Sequence, residues 1–170
     1  MADGVYSITF RLHDSLPPDA IANLVAERRA LERYNSAELR HAFELSLDRA
    51  LDRAYGSAYL ADDRVAAIVA NGLAHFDGER YRMFAWCVMP THVHVVIKAN
   101  GGLFEILHSW KSYTAKEANR VLGREGVFWA REYFDRIVRN EEDLWTTVAY
   151  VVNNPVEAGL ENWKWVGSAI

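Results

Sequence analysis

One cysteine, Cys87, stands in the whole of the 170-residue chain. That excludes an internal disulfide and any cysteine-built zinc cluster, so a bound metal has to be held by histidine, carboxylate or amide groups. Long hydrophobic runs are missing too. The longest, such as VAAIVA and FAWCVM, fall far short of the roughly 20 apolar residues a membrane helix needs. The opening MADGVYSITF has neither the basic start nor the apolar core of a secretory signal. The expectation is a cytoplasmic protein with no membrane partner. Repeats, low-complexity tracts and linkers are also lacking, so residues 1–170 are expected to form one domain with Cys87 packed in its core.

What is present is ordinary globular composition with an uneven distribution of charge. A net charge of −4 argues against a nucleic-acid partner only as an average. Residues 1–79 carry 8 Lys+Arg against 13 Asp+Glu, residues 80–140 carry 10 against 5, and residues 141–170 carry 1 against 5. The middle segment, net +5, also holds Trp86, Tyr113, Phe128, Trp129, Tyr133 and Phe134. Cations interleaved with aromatics supply the phosphate neutralisation and base stacking that a single-stranded nucleic acid requires. The same aromatics also suit a hydrophobic core.

Periodicity gives the elements. VYSITFRL, residues 5–12, alternates as a half-buried strand. After DSLPPDA, with Asp19 as the expected N-cap, helices are expected near 19–33 and 36–54. Apolar residues at 65, 68, 69, 73 and 76 make a further helical stripe that ends before FDGER. YRMFAWCVM and HVHVVIKA read as a hairpin joined at Pro90-Thr91. Leu103 to Leu122 reads as a long amphipathic helix ending at Gly123, and GVFWAREYFDRIVR as a fourth strand. Finally NEEDLWTTVAYVVNN starts on Asn140 as N-cap and is expected to stop at Pro155, leaving a tail. Without the extra helices the order is strand, helix, strand, strand, helix, strand, the split βαβ pattern of an α+β fold.

The chemistry starts in MPTHVHVVIKA. Residues i and i+2 of a strand project from the same face, so His92 and His94 are able to converge on one cation. Tyr150 and Asn154, spaced i, i+4, share one face of the last helix. If that face packs beside the histidines, Asn154 supplies an oxygen ligand and Tyr150 points its hydroxyl at the metal-bound group. A phenol beside a cation is able to attack phosphorus, because the cation polarises the phosphoryl oxygen.

MPTHVHVV, WAREYFDRIVRNEEDL and YVVNNPVEAGL, in that order, resemble the single-tyrosine HUH transposases, above all their REP-associated tyrosine transposase branch. YSITFRL and WKWVGS extend the resemblance over nearly the whole chain. It implies a ferredoxin-like antiparallel sheet with helices on one face, extra N-terminal helices and a C-terminal helix carrying the tyrosine. It also implies a divalent cation, Mg²⁺ or Mn²⁺, bound by His92, His94 and Asn154, with Tyr150 as nucleophile. The substrate implied is single-stranded DNA in hairpin or repeat elements, cleaved through a 5′-phosphotyrosine link and rejoined. The better-known insertion-sequence enzymes carry Gln where Asn154 stands, and they act as dimers whereas the REP-associated branch is often monomeric, so monomer and homodimer both stay open. Lys111, Arg131, Arg136 and Arg139 are the candidates for phosphate contact, against the alternative of a solvated face. Tyr113 and Tyr133 lack an amide four residues on. A histidine-triad hydrolase would need a third histidine where Val96 stands. The remaining rival is a hairpin-DNA-binding protein with little or no catalysis.

Overall fold

A computed structural model of the chain describes residues 4–34 and 36–169. Residues 1–3, 35 and 170, at the ends of and within the expected 1–170 domain, lie outside the described residues. Five strands and five α-helices follow in the order β1 (Val5–Leu12), α1 (Pro18–Arg33), α2 (Ala37–Leu51), α3 (Asp63–Ala74), β2 (Tyr81–Val88), β3 (His92–Ala99), α4 (Leu103–Leu122), β4 (Trp129–Ile137), α5 (Glu141–Glu157) and β5 (Val166–Ser168). A short 3₁₀ turn, Tyr59–Ala61, precedes α3.

The sheet order is β4-β1-β3-β2-β5, with every pairing antiparallel. It is the split βαβ arrangement with one strand added at the β2 edge. β3 lies at the centre, and its β-branched residues are buried on both faces. Alternation divides them. Val93, Val95 and Ile97 join Ile8 and Phe10 under α3 and α4, where Val65, Val69 and Trp110 complete the main core. Val96 and Cys87 face the other way, against Val148 and Val151 of α5. A third cluster on that side, Leu24, Phe43, Leu47 and Leu51, seats α1 and α2 beside Phe134 of β4. The two crossover helices thus share one face, as the pattern requires, and the additional helices α2 and α5 enclose the face that carries His92 and His94.

Three local expectations are corrected. Asp19 does not cap α1: Pro17 holds the N-cap position, Pro18 opens the helix and no side-chain bond closes the end. A proline at the first helical position is preorganised for it, and Asp19 in the first turn still meets the positive end of the helix dipole. Pro155 does not stop α5, which continues to Glu157. The missing N–H falls in the last turn, the residue is buried, and the final carbonyls still find donors: Ala158 N–H bonds Asn154 O and Leu160 N–H bonds Pro155 O. The supposed tail forms β5 on β2. Its Gly167 is required by proximity, since a Cβ there would lie 2.5 Å from Trp86 Nε1.

Candidate metal centre

Both histidines are at most 4% exposed, on the central strand. Their rings stand nearly perpendicular with centroids 4.9 Å apart. Each is held by a threonine on its Nδ1 side: Thr91 Oγ1 lies 3.0 Å from His92 Nδ1, and Thr9 Oγ1 lies 2.9 Å from His94 Nδ1. The Thr91 hydroxyl donates to Leu51 O at 3.0 Å. A hydroxyl has one hydrogen, so His92 Nδ1 must be the donor in their bond, which leaves the Nε2 lone pair bare.

Four buried side-chain polar atoms have no hydrogen-bond partner among the described residues; three are His92 Nε2, His94 Nε2 and Asn154 Oδ1. A buried polar atom left unpaired costs about 1–3 kcal/mol. Three of them, all potential metal donors, call for a bound cation to compensate. The donor chemistry, imidazole nitrogen with carboxylate and amide oxygen, suits a divalent metal.

The carboxylate comes from α2. Asp48 is 6% exposed, and its ligand atom and those of His92 and His94 all lie within 4.8 Å of one another, close enough for one ion. Asp48 Oδ1 is 3.2 Å from His94 Nε2, without the alignment of a hydrogen bond, and Oδ2 accepts from the Tyr150 hydroxyl. Asp52, at the C-cap of α2, lies 3.8 Å from His92 Nε2.

Electrostatics follow from this packing. Burial, then the neighbouring His94, pushes His92 well below the usual histidine range, so it is neutral and able to ligate. For His94 burial acts downward as the strongest single influence, but the carboxylates of Asp48, Asp52 and Glu44 together outweigh it and the pKa rises. Asp52 is pushed up to about 6 by burial and by Asp48. Cys87 is fully buried and its thiol is pushed up to about 12 by burial, which makes it inert core packing.

Tyr150 is half-buried on α5 with its ring centroid 6.4 Å from that of His94, and Asn154 is buried one turn further on. Beside them opens a cleft of about 850 Å³ bounded also by Arg136 and Arg139. The four expected phosphate contacts are not gathered there. Arg136 is fully engaged, with Glu44 at 2.7 Å, Asp143 at 3.0 Å and Thr147 at 2.8 Å. Lys111, on α4, donates to Ala130 O at 2.9 Å and so covers part of the outer edge of β4. Arg131 and Arg139 are exposed.

Asp48, Thr91 and Thr9 escaped the sequence reading. A signal for Asp48 existed: Phe43, Leu47 and Leu51 form an apolar stripe, and Glu44, Asp48 and Asp52 run beside it at the same four-residue interval. Carboxylates adjoining a buried stripe are placed to face inward.

The split βαβ sheet thus presents two buried histidines beside a helix-borne tyrosine and a buried carboxylate. The family described as "Transposase IS200 like" matches residues 61–154, and the chain belongs to that family of DNA-processing enzymes. The solved structure of a REP-associated tyrosine transposase bound to a REP hairpin is similar over 94% of this chain and 70% of that one, with 17% identity and a TM-score of 0.54. A putative transposase from Deinococcus radiodurans R1 aligns over 91% of this chain and 92% of its own, with 13% identity and a TM-score of 0.40. No curated protein matches the chain. None of the described helices is long and apolar enough to cross a membrane.

Proposed function

We propose that the chain is a metal-dependent single-stranded DNA nicking and strand-transferring enzyme that acts on hairpin DNA. Tyr150 is the nucleophile, and His92, His94 and Asn154 are ligands of a Mg²⁺ or Mn²⁺ ion. The observation that carries the reading is the Tyr150 hydroxyl bonded to Asp48, a carboxylate that lies beside a buried pair of imidazoles whose Nε2 atoms have no hydrogen-bond partner among the described residues. Asp48 links Tyr150 to His94 within one chain, which supports assembly of the site in cis. The hairpin as substrate is supported by the similar transposase, which is bound to one.

The cation, when bound, withdraws charge from the phosphoryl oxygen and eases attack. Tyr150 Oη forms a bond to phosphorus as the bond from phosphorus to the 3′-oxygen breaks. The proton lost by the phenol balances the one gained by the departing 3′-hydroxyl. Attack by a 3′-hydroxyl of another strand reverses the step, so joining consumes neither water nor nucleotide. Exposed Arg131 and Arg139 are assigned to phosphate contact. Arg136 and Lys111 serve first to hold β4 in place.

The test is incubation of the protein and Tyr150→Phe with labelled hairpin DNA from its own genomic neighbourhood and Mn²⁺, resolved on a denaturing gel. A covalent protein–DNA band from the unaltered protein alone is expected. Tight binding with no adduct from either protein would replace this reading with that of a hairpin-binding protein.

A further inference from the structure

We propose that Asp48 is the acidic ligand of the cation and at the same time the residue that positions the Tyr150 hydroxyl, so that α2 completes the site from outside the segment that matches the family. The inference rests on the metal-site reading above and names a donor that this reading does not contain. Its two functions use the two oxygens of one carboxylate: Oδ1 lies 3.2 Å from His94 Nε2, and Oδ2 accepts from Tyr150.

A carboxylate that is 6% exposed is expensive unless it is paired with a positive charge. Glu44, one turn earlier on α2, has such a partner in Arg136. Asp48 is paired instead with the titratable imidazole of His94 and with a phenol. One turn later Asp52 adds a second carboxylate at the C-cap, the negative end of the helix dipole, where acids are unfavourable. Two neighbouring carboxylates facing two imidazoles, at the wrong end of a helix, lower the stability of α2 while the site is empty. A divalent cation offsets that repulsion and uses the unpaired nitrogens. Asp48 rather than Asp52 is the ligand because Asp48 is the more deeply buried and lies in the compact donor set with both histidines. Asp52 lies 3.8 Å from His92 Nε2 but does not join that compact set.

The experiment is calorimetric titration of the full chain with MnCl₂, alongside His92→Ala, Asp48→Asn and Asn154→Ala, with circular dichroism to verify folding. Asp48→Asn keeps the size and an acceptor for Tyr150 but removes the charge. We expect it to weaken Mn²⁺ binding at least tenfold and to shrink the Mn²⁺-induced rise in melting temperature. At saturating Mn²⁺ adduct formation by Asp48→Ala, which offers the Tyr150 hydroxyl no acceptor, should fall in kcat with little change in the KM for DNA, because positioning acts after binding. If the unaltered protein binds no Mn²⁺, the metal-site reading itself falls. If it binds and His92→Ala abolishes binding, yet Asp48→Asn binds as tightly as the unaltered chain, the metal reading stands and the assignment of Asp48 is overturned. Should Asp48→Asn fail to fold, hydrogen exchange on the unaltered chain decides. Mg²⁺ is expected to slow exchange of the α2 amides severalfold, and an unchanged α2 in a chain that binds Mg²⁺ would overturn the proposal.

Discussion

Thr91 has one hydroxyl hydrogen, and its donation to Leu51 O dictates the tautomer of His92, a dependence that reaches from the end of α2 to the centre of the sheet. Groups behind a metal ligand set its orientation and basicity, and removing one typically costs about 10–100-fold in affinity. Thr91→Val keeps the branched shape but offers His92 Nδ1 no acceptor. Mn²⁺ affinity is expected to fall within that range, and the melting temperature of the metal-free protein to fall as well because the buried His92 Nδ1–H loses its acceptor, which calorimetry and thermal denaturation together would check. At this scale the sequence was partly legible. The convergence of His92 and His94 follows from the two-residue repeat of a strand, and the shared face of Tyr150 and Asn154 follows from the helical turn. Both are properties of neighbours in the chain. Asp48 and Thr9 meet His94 only through long-range packing, across 46 and 85 positions, and no local period encodes that.

Between elements, α5 is fastened to β4 by Arg136, whose guanidinium joins Asp143 at 3.0 Å and Thr147 at 2.8 Å while also reaching Glu44 of α2. Burial alone would raise the Asp143 pKa, but the Arg139 amide and the Arg136 guanidinium hold it below the usual 3.8. A carboxyl depressed on folding stabilises the native state fully above its unfolded pKa, and that contribution disappears as pH falls through the folded value. The melting temperature of the unaltered protein is therefore expected to drop between about pH 5 and pH 2, and that of Asp143→Asn to drop less. Equal declines in a pH series of thermal melts would assign the acid sensitivity to other carboxylates. The elements themselves were largely legible, because the strands alternate and α4 runs from its first periodic leucine to a left-handed glycine, Gly123, at φ 65°. What escaped were the positions where tertiary contacts override local punctuation: the proline retained inside α5, and β5, three residues long, which exists because β2 offers it an edge.

Over the whole molecule, the basic middle segment and the acidic first part fold against each other, and Arg136 spends its charge on Glu44 and Asp143 rather than on solvent. The net +5 of residues 80–140 thus overstates the charge open to DNA. Binding of a single-stranded hairpin loop is still expected to weaken with salt, with a slope of about −0.7 in log K against log salt for each phosphate neutralised. Fluorescence anisotropy across a salt series would measure it. A flat response would remove the electrostatic basis for binding, and a slope that shrinks in Arg139→Ala would locate one contact.

Asp48, the histidine pair and Tyr150 come from an early helix, the middle strand and a late helix. A ribosome delivers them in that order, and the imidazoles wait without the phenol until α5 has emerged and docked. A chain cut short before that point displays two histidines and a carboxylate but lacks the proposed nucleophile. On the proposed function, an interrupted round of translation therefore releases a product that is unable to break a DNA strand.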